Sequence, residues 1–260
     1  MVSTPSDDRV VLVTGGGKGI GAGISARFLR DGATVVACGR SEPDGLRVVD
    51  GRHAEFRTCD VRDRDAVAAL VDGIVADHGR LDVLVNNAGG SPPADAATVS
   101  PRFFAAVVDL NLTAAFTCAQ AANRVMQDQD AGGSIVNVCS VSGLRPSPGT
   151  AAYGAAKAGL LNLTRTLAIE WAPRVRVVAV TPGLVETDQT AEHYGTGAVR
   201  DAVVATVPAG RFVTPDEIGG ACVWLSSPDA AHATGSNLVL DGGGERPAFL
   251  TARERAAEAP

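Results

Sequence analysis

The sequence predicts a single-domain α/β protein, a Rossmann-type doubly wound sheet of about seven mostly parallel strands with helices on both faces. Short Val-rich runs alternate with stretches of helical periodicity along most of the 260 residues. The runs are apolar on both faces, which is typical of a parallel sheet covered on both sides. No repeat, long linker or break in composition divides the chain, so we expect one domain over 1–260.

Local sequence signals predict each strand and helix. The first strand, "RVVLVT" at 9–14, is β-branched and leads directly into glycines, after which Ile20, Ile24 and Phe28 fall on one helix face. "TPDE" at 214–217 provides Thr, then Pro, then acids, the order that starts a helix. The predicted strands are 9–14, 34–38, 53–61, 81–89, 134–140, 175–183 and 236–243, and later helices lie near 63–77, 101–127, 151–171 and 215–226.

Three segments depart from this alternation. Residues 41–52 are short and interrupted by glycine, so we expect a clipped helix there. Residues 184–212 are irregular and rich in Thr, Gly and His, and we predict that they form a substrate lid. The core spans 9–244, and the tail 245–260 carries one apolar pair, Phe249–Leu250, which either docks on a neighbouring subunit or frays.

Charge and composition exclude several classes of partner. The net charge is −6 and Lys and Arg are not clustered, so no basic field attracts nucleic acid or an anionic membrane. The N-terminus lacks the basic and apolar regions of a signal peptide. No apolar run reaches the ~18 residues of a membrane span. We therefore expect a cytoplasmic protein.

The five cysteines are far apart, lie mostly among apolar residues and form no CxxC pair. We interpret them as small buried hydrophobic residues in a reducing compartment, rather than as disulfides or metal ligands. They are Cys38, Cys59, Cys118, Cys139 and Cys222.

The stretch "VLVTGGGKGIGAG" at 11–23 is a strand, a glycine loop and the start of a helix. Glycines let backbone N–H groups approach a pyrophosphate at a helix N-terminus. A glycine run alone also fits a simple tight turn. The strand before it and the helix after it favour nucleotide binding.

The end of the second strand bears on which nucleotide binds. A site for NAD usually has an acid there, to hold the ribose 2′-hydroxyl, but this chain has Gly39 followed by Arg40. Lys18 adds a second cation in the glycine loop. Two cations and no acid suit a 2′-phosphate, so we favour NADP(H) over NAD(H). The alternative is that both are solvated surface charges.

Two further motifs fit the rest of a dinucleotide. Asp60 ends the third strand, where its carboxylate can accept the adenine amino group beside the Val61 N–H, or can cap the next helix. In "NNAG" at 86–89, an Asn at a strand end can brace adjacent loops. Ala88 and Gly89 leave room for a flat ring or a ribose.

Together these motifs carry a specific resemblance. "TGGGKGIG" at 14–21 is similar to the TGxxxGxG pattern of the short-chain dehydrogenase/reductase family, and further family motifs follow in family order and spacing. They are "DV" (60–61), "NNAG" (86–89), "NL" (111–112), "CS" (139–140), "YGAAK" (153–157) and "PGLVET" (182–187). The resemblance covers residues 9–244, and the shortened 41–52 and the tail are its main departures.

The resemblance implies reversible carbonyl–alcohol oxidoreduction with NAD(P)(H) and no metal. It assigns catalysis to Asn111, Ser140, Tyr153 and Lys157, while Ser142 and Ser147 are interpreted as polar loop residues. The cofactor contacts that it implies are Thr14, Gly15, Gly17, Lys18, Ile20, Arg40, Asp60, Val61, Asn87, Ala88, Gly89, Val185 and Thr187, with Tyr153 and Lys157 at the nicotinamide ribose.

The chemistry of "AAYGAAKAG" at 151–159 fits this assignment. A ketone that accepts hydride needs a proton at its oxygen, and a tyrosine with a pKa near ~10 yields one reluctantly at neutral pH. Lys157 lies one helical turn after Tyr153, and its charge favours tyrosinate, so Tyr153 can act as general acid and base. Ser140 then fixes the substrate oxygen, and the resemblance gives Asn111 a water that links Lys157 to solvent. Without Ser140 and the glycine loop, an ordinary amphipathic helix with a snorkelling lysine would be the favoured explanation of the pair.

The substrate is predicted beyond the carboxyl ends of the strands, beside 90–97, 142–150 and the lid. His193 and Tyr194 either face the substrate or lie on the surface, and Arg145 meets either an acidic or thioester-linked substrate or solvent. We place a 3-oxoacyl thioester first, on family frequency. An NAD(H)-dependent alcohol, steroid or polyol dehydrogenase is the alternative within the family.

A non-catalytic redox sensor or scaffold is the alternative from another class, although such chains usually lose the tyrosine or lysine that this one keeps. The helices near 101–127 and 151–171 carry small apolar residues beyond those that the core needs. The resemblance implies that these helices pack between subunits of a homotetramer with D2 symmetry, or of a homodimer.

Overall fold

The computed structural model describes residues 9–258, which contain seven parallel strands in one sheet. The strands are β1 (Val10–Thr14), β2 (Thr34–Gly39), β3 (Glu55–Thr58), β4 (Val83–Asn86), β5 (Gly133–Val138), β6 (Val175–Pro182) and β7 (Asn237–Leu240). Their order is β3-β2-β1-β4-β5-β6-β7, and every neighbouring pair is parallel. The strand order reverses between β1 and β4: β2 and β3 lie on one side of this point, and β5, β6 and β7 lie on the other. In such sheets, ligands bind in the crevice at the carboxyl ends of the two strands that flank the reversal. The predicted fold class is confirmed.

Helices cover both faces of the sheet. They are α1 (Gly19–Arg30), α2 (Arg64–His78), α3 (Pro101–Val108), α4 (Ala114–Asp128), α5 (Ala151–Glu170), α6 (Thr190–Tyr194), α7 (Gly197–Val204), α8 (Pro215–Ser226) and α9 (Ala248–Glu258). Successive β1 residues point to opposite faces: Leu12 packs in a core with α2, α4 and α5, and Val11 and Val13 pack in another with α1 and α8. Apolar residues on both faces explain why the strand runs lack polar alternation.

Helix starts follow the residues that the sequence provides. Asp63 accepts hydrogen bonds from the backbone N–H groups of Asp65 and Ala66, and so caps α2. Thr214 and Glu217 form a reciprocal capping box at the start of α8. The "TPDE" prediction is therefore confirmed.

The long helix predicted near 101–127 is interrupted. A π-helical turn, Asp109–Thr113, separates α3 from α4 and contains Asn111. By length and composition alone Pro101–Asp128 could cross a membrane, although Ala114, Cys118 and Met126 of this helix pack in the core. A π turn places an extra residue in the helix without breaking its apolar pattern, so periodicity does not reveal it.

The clipped helix expected in 41–52 is wrong. This segment is an irregular loop that ends in a tight reversal, where Val49 and Arg52 exchange two backbone hydrogen bonds of 2.8 and 2.9 Å. Asp50 and Gly51 take positive φ values of 51° and 77° in the turn. A left-handed pair of this kind cannot continue a right-handed helix.

The lid region 184–212 is more regular than expected, because it contains α6 and α7. In the tail, α9 begins at Ala248, with Phe249 exposed on it. Whether the tail docks or frays stays a prediction. All five cysteines are free and buried, as the sequence interpretation required.

Candidate active site

Tyr153 and Lys157 lie one turn apart on α5, at the carboxyl end of β5. The Lys157 side chain is 3% exposed, and its Nζ lies 5.6 Å from the centroid of the Tyr153 ring. Nζ donates a 2.8 Å hydrogen bond to the Val138 carbonyl oxygen at the end of β5. This lysine therefore does not reach out to solvent, which contradicts the amphipathic-helix alternative.

Ser140 follows β5 and is half-buried. Its Oγ accepts a 3.2 Å hydrogen bond from the Ser142 N–H, so its own proton remains available to another acceptor. Ser147 donates to Ser142 and pairs with Thr150 at 2.6 Å, which agrees with the interpretation of these residues as polar loop groups.

Two glycines bring the Ser140 loop against α5. A Cβ at Gly154 would lie 2.9 Å from the Ser142 carbonyl oxygen, and one at Gly143 would lie 2.8 Å from the backbone of Lys157 and Ala158. Only hydrogen atoms fit at both contacts. The loop that carries Ser140 and the helix that carries Tyr153 are thereby held in direct contact.

Asn111 in the π turn is 1% exposed, and both the oxygen and the nitrogen of its side-chain amide form hydrogen bonds. Oδ1 accepts from the Gly90 N–H, and Nδ2 donates to the carbonyl oxygens of Gly90 and Val107, all at 2.9 Å. A Cβ at Gly89 would meet Asn111 Oδ1 at 2.6 Å and Lys157 Nζ at 3.4 Å. The structure thus brings Asn111 and Lys157 together around Gly89. The water relay through Asn111 stays a prediction.

The glycine loop leads into an α1 N-terminus that is open to an anion. Lys18 is the N-cap residue but its side chain makes no capping hydrogen bond, and no acid lies in the first turn. Gly15 and Gly19 have positive φ values of 64° and 49°. Ile20 packs against the core and fixes the start of the helix. Free N–H groups at a helix start suit a phosphate.

Thr14 and Asn87 brace the two loops beside this helix start. The Thr14 hydroxyl accepts from the N–H groups of Asn87 and Ala88, both at 3.0 Å, and Asn87 Nδ2 donates to the Thr14 carbonyl oxygen at 2.9 Å. Thr14 is 2% exposed, so it acts on the position of the "NNAG" loop. Direct contact of these residues with a cofactor stays a prediction.

The region predicted to bind the adenosine half of the cofactor contains the two predicted cations and Asp60. Lys18 and Arg40 are exposed, and within residues 9–258 neither forms an ion pair. Asp60 is bound by Arg62, whose side-chain hydrogen bonds hold the pKa of Asp60 at about 2. Because Asp63 caps α2, the capping alternative for Asp60 is wrong. Val61 is buried beside it in the core.

One side of the glycine loop is covered by the segment 41–52, a contact that sequence analysis missed. A Cβ at Gly17 would lie 3.0 Å from Pro43 and 3.5 Å from the ring of Phe56. Gly17 therefore has one face against this loop, and only its other face is available for the predicted cofactor contact.

The segment that leads into the lid contains Val185 and Thr187, the residues predicted at the nicotinamide. Val185 is 8% exposed and bridges to Val213, while the Thr187 N–H donates to Thr190 Oγ1 at 2.7 Å. The structure separates the two candidate lid residues, because His193 is exposed and Tyr194 is half-buried. The open helix start and the two exposed cations fit a dinucleotide.

Comparison with known proteins agrees with this geometry. A family model described as "Enoyl-(Acyl carrier protein) reductase" matches residues 15–245. The chain belongs to the short-chain dehydrogenase/reductase family. Like the family it is an oxidoreductase that acts on CH–OH groups, and the family uses NAD(P).

Relatives of this dehydrogenase/reductase bear several names. It is 36% identical to 3beta-hydroxysteroid dehydrogenase 1 of Eggerthella lenta, over 90% of this chain and 93% of the relative. It is 35% identical to the 3-oxoacyl-(acyl-carrier-protein) reductase FabG of Thermotoga maritima, over 91% of this chain and 98% of the relative. The ligand-free structure of an aldohexose dehydrogenase from Thermoplasma acidophilum superposes with a TM-score of 0.84 at 29% identity. The superposition covers 91% of this chain and 93% of that structure.

In this dehydrogenase/reductase, Tyr153 and Lys157 lie together on α5. NAD(P)(H), when bound, supplies or accepts the hydride. The structure places the Lys157 ammonium against the Tyr153 ring and Ser140 at the end of β5. Their roles in catalysis stay predictions. Burial raises the pKa of the neighbouring Cys139 thiol to about 11 against the lowering effect of Lys157, so this thiol stays protonated.

Proposed function

We propose that this chain catalyses the NADP(H)-dependent interconversion of a ketone and a secondary alcohol, with Tyr153 as general acid and base. The observation that carries the proposal is the burial of the Lys157 ammonium 5.6 Å from the Tyr153 ring. A buried cation beside a phenol has a chemical use when that phenol must give up and regain a proton. Asn111 and Ser140 complete the site around it.

The preference for NADP(H) over NAD(H) rests on the end of β2. Gly39 leaves no carboxylate for a ribose 2′-hydroxyl, and the exposed Arg40 and Lys18 are available to a 2′-phosphate. A guanidinium can bind such a phosphate through two hydrogen bonds, while an acid at this position would repel it.

The substrate of first choice is a 3-oxoacyl thioester, and the relative from Thermotoga maritima supports this choice. The relative from Eggerthella lenta favours a second candidate, the oxidation of a hydroxysteroid. Both reactions use the same four catalytic residues, so the pocket beyond them decides between the two. A polyol is a further alternative, in line with the aldohexose dehydrogenase structure.

The test is cofactor turnover by purified protein with a panel of acetoacetyl thioesters, hydroxysteroids and polyols. We expect NADPH oxidation with a thioester, and we expect Tyr153→Phe to abolish turnover while calorimetry still detects NADPH binding. Full activity of Tyr153→Phe contradicts the catalytic assignment. Cofactor binding without turnover of any panel member would favour the redox sensor or scaffold.

We also propose that the chain is cytoplasmic and assembles as a homotetramer through α3, α4 and α5. The exposed side chains of Phe104 and Phe116 on α3–α4 and of Ile169 on α5 support an interface there. Light scattering tests the assembly, because a 26.5 kDa particle would be a monomer and would contradict it. A homodimer is the alternative assembly.

A further inference from the structure

A line of buried hydrogen bonds joins four elements of the fold. Asn86 on β4 and Asn137 on β5 are register partners, and Asn86 Nδ2 donates to Asn137 Oδ1 at 2.9 Å. Asn137 Nδ2 donates in turn to Thr164 Oγ1 on α5, also at 2.9 Å. On the other side, Asn86 Nδ2 donates to the Ala115 carbonyl oxygen of α4 at 3.0 Å. We call Asn86, Asn137 and Thr164, which are all buried, the polar line.

Each hydrogen bond between members of the polar line can run in only one direction. The Thr164 hydroxyl donates its single proton to the Leu160 carbonyl oxygen at 2.7 Å, so it can only accept from Asn137. A reversed amide at Asn137 would set two donors against each other at Asn86 and two acceptors against each other at Thr164. The polar line therefore specifies one arrangement of β5 against α5.

The polar line is not explained by stability. Asn86 Oδ1 is buried and has no hydrogen-bond partner within residues 9–258. A buried acceptor without a partner destabilises a fold, and apolar side chains of similar shape avoid this penalty. The three polar side chains are better explained by the arrangement of strands and helices that they specify.

The polar line meets the catalytic pair at β5 and α5. Thr164 lies two helical turns after Lys157, on the same face of α5. Lys157 Nζ donates to the carbonyl oxygen of Val138, which is the residue after Asn137 on β5. Two hydrogen bonds thus join adjacent residues of β5 to one face of α5. One of them holds the ammonium that lies beside the Tyr153 ring.

We propose that Asn137 and Thr164 are positioning residues, which act on catalysis through Lys157. Their hydrogen bond fixes α5 against β5, and this holds the lysine ammonium at the end of β5, beside the ring of Tyr153. A displacement of about 1 Å in a catalytic site can cost about 10²-fold in rate, so a small shift of α5 is enough to matter. The inference rests on the proposed interconversion of a ketone and an alcohol at this site.

The test is Thr164→Val, which keeps the shape of the side chain and removes the acceptor for Asn137. We expect kcat for reduction of an acetoacetyl thioester to fall about tenfold, while the KM of NADPH changes less than about twofold. Thr164→Ser keeps a hydroxyl and should restore kcat to within about twofold of wild type. The control is Thr166→Val, because Thr166 is exposed on the same helix and also donates to a backbone oxygen four residues earlier. It should leave kcat unchanged.

A second measurement needs no substrate. Lys18 and Lys157 are the two lysines of the chain, one exposed and one buried. Labelling with acetic anhydride, followed by mass spectrometry of peptides, therefore reports the accessibility of Lys157 against an internal reference. We expect the ratio of Lys157 to Lys18 labelling to rise at least about threefold in Thr164→Val, and to keep its wild-type value in Thr164→Ser and Thr166→Val. This result supports the role of Thr164 even if wild type reduces no ketone.

An unchanged labelling ratio in Thr164→Val overturns the proposal, whether or not the wild type is active. A loss of kcat that Thr164→Ser shares also overturns it, because the hydroxyl would then not be the group that acts. Lower stability in urea with unchanged kcat and labelling would assign the pair a purely structural role and refute the proposal. If Thr164→Val does not fold, the same measurements are made on Thr164→Cys, which has a similar size and only a weak acceptor.

Discussion

Asn111 holds Gly90 by two hydrogen bonds of 2.9 Å: its Oδ1 accepts from the Gly90 N–H, and its Nδ2 donates to the Gly90 carbonyl oxygen. Gly90 follows the "NNAG" motif, so the π turn on one side of the crevice fixes the loop on the other. A third bond to Val107 occupies the remaining amide proton. The side chain of this predicted catalytic residue is therefore fully used in positioning.

Asn111→Asp is expected to lower the free energy of unfolding by about 2–4 kcal/mol, because it removes both buried donors and places a charge there. Urea unfolding measures this loss. The control is Asn162→Asp on the exposed face of α5, which should change stability by less than about 0.5 kcal/mol. Equal stability of wild type and Asn111→Asp would contradict the positioning role.

Lys157→Met is expected to lower kcat by about 10²–10⁴-fold, because it removes the buried charge beside Tyr153 and retains the length of the side chain. Steady-state kinetics at saturating cofactor measure the effect. The chain contains one other lysine, and Lys18→Met should weaken NADPH binding with little change in kcat. If the two variants had equal kcat values, the special role of Lys157 would be wrong.

Arg40→Ser is expected to raise the Kd of NADPH by about 10–100-fold and to leave that of NADH nearly unchanged, since it removes charge-assisted hydrogen bonds to the 2′-phosphate. Calorimetry with both cofactors provides the comparison. Arg47→Ser in the exposed loop 41–52 is the matched control and should affect neither. An equal increase in the Kd values of NADPH and NADH would instead indicate a general loss of structure at the end of β2.

Glu217→Gln is expected to reduce stability at neutral pH by about 1 kcal/mol, a value limited by the solvent exposure of the side chain. Hydrogen bonds from Arg211 and Thr214 hold the pKa of Glu217 at about 2, below the ordinary 4.5. The stabilisation is thus present above 4.5 and is lost as the pH falls toward 2.

Urea unfolding at neutral pH and at about pH 3 detects this loss, since the difference between wild type and Glu217→Gln should shrink as acid is added. Glu170→Gln, at the exposed end of α5, should show no such convergence. A constant difference at both pH values would exclude the capping box as its source.

The strands and the Tyr153–Lys157 pair could be predicted because their signals are local. Apolar runs bounded by glycine define β1 and β5, and a four-residue spacing defines one helix face. The π turn, the loop 41–52 and the Asp60–Arg62 ion pair were missed, because each depends on hydrogen bonds that residue type alone does not specify. Tyr194 was left undecided for a related reason, since its burial depends on Phe212, far along the chain.

The contacts of Gly143 and Gly154 have a consequence for the rate of reaction. At each contact a backbone atom lies 2.8–2.9 Å from where a side-chain Cβ would be, so the loop of Ser140 and the helix of Tyr153 pack directly together. The two hydroxyl donors then need no rearrangement when a substrate arrives, and little entropy is lost in aligning them. Two residues without side chains thereby contribute to catalysis without touching the substrate.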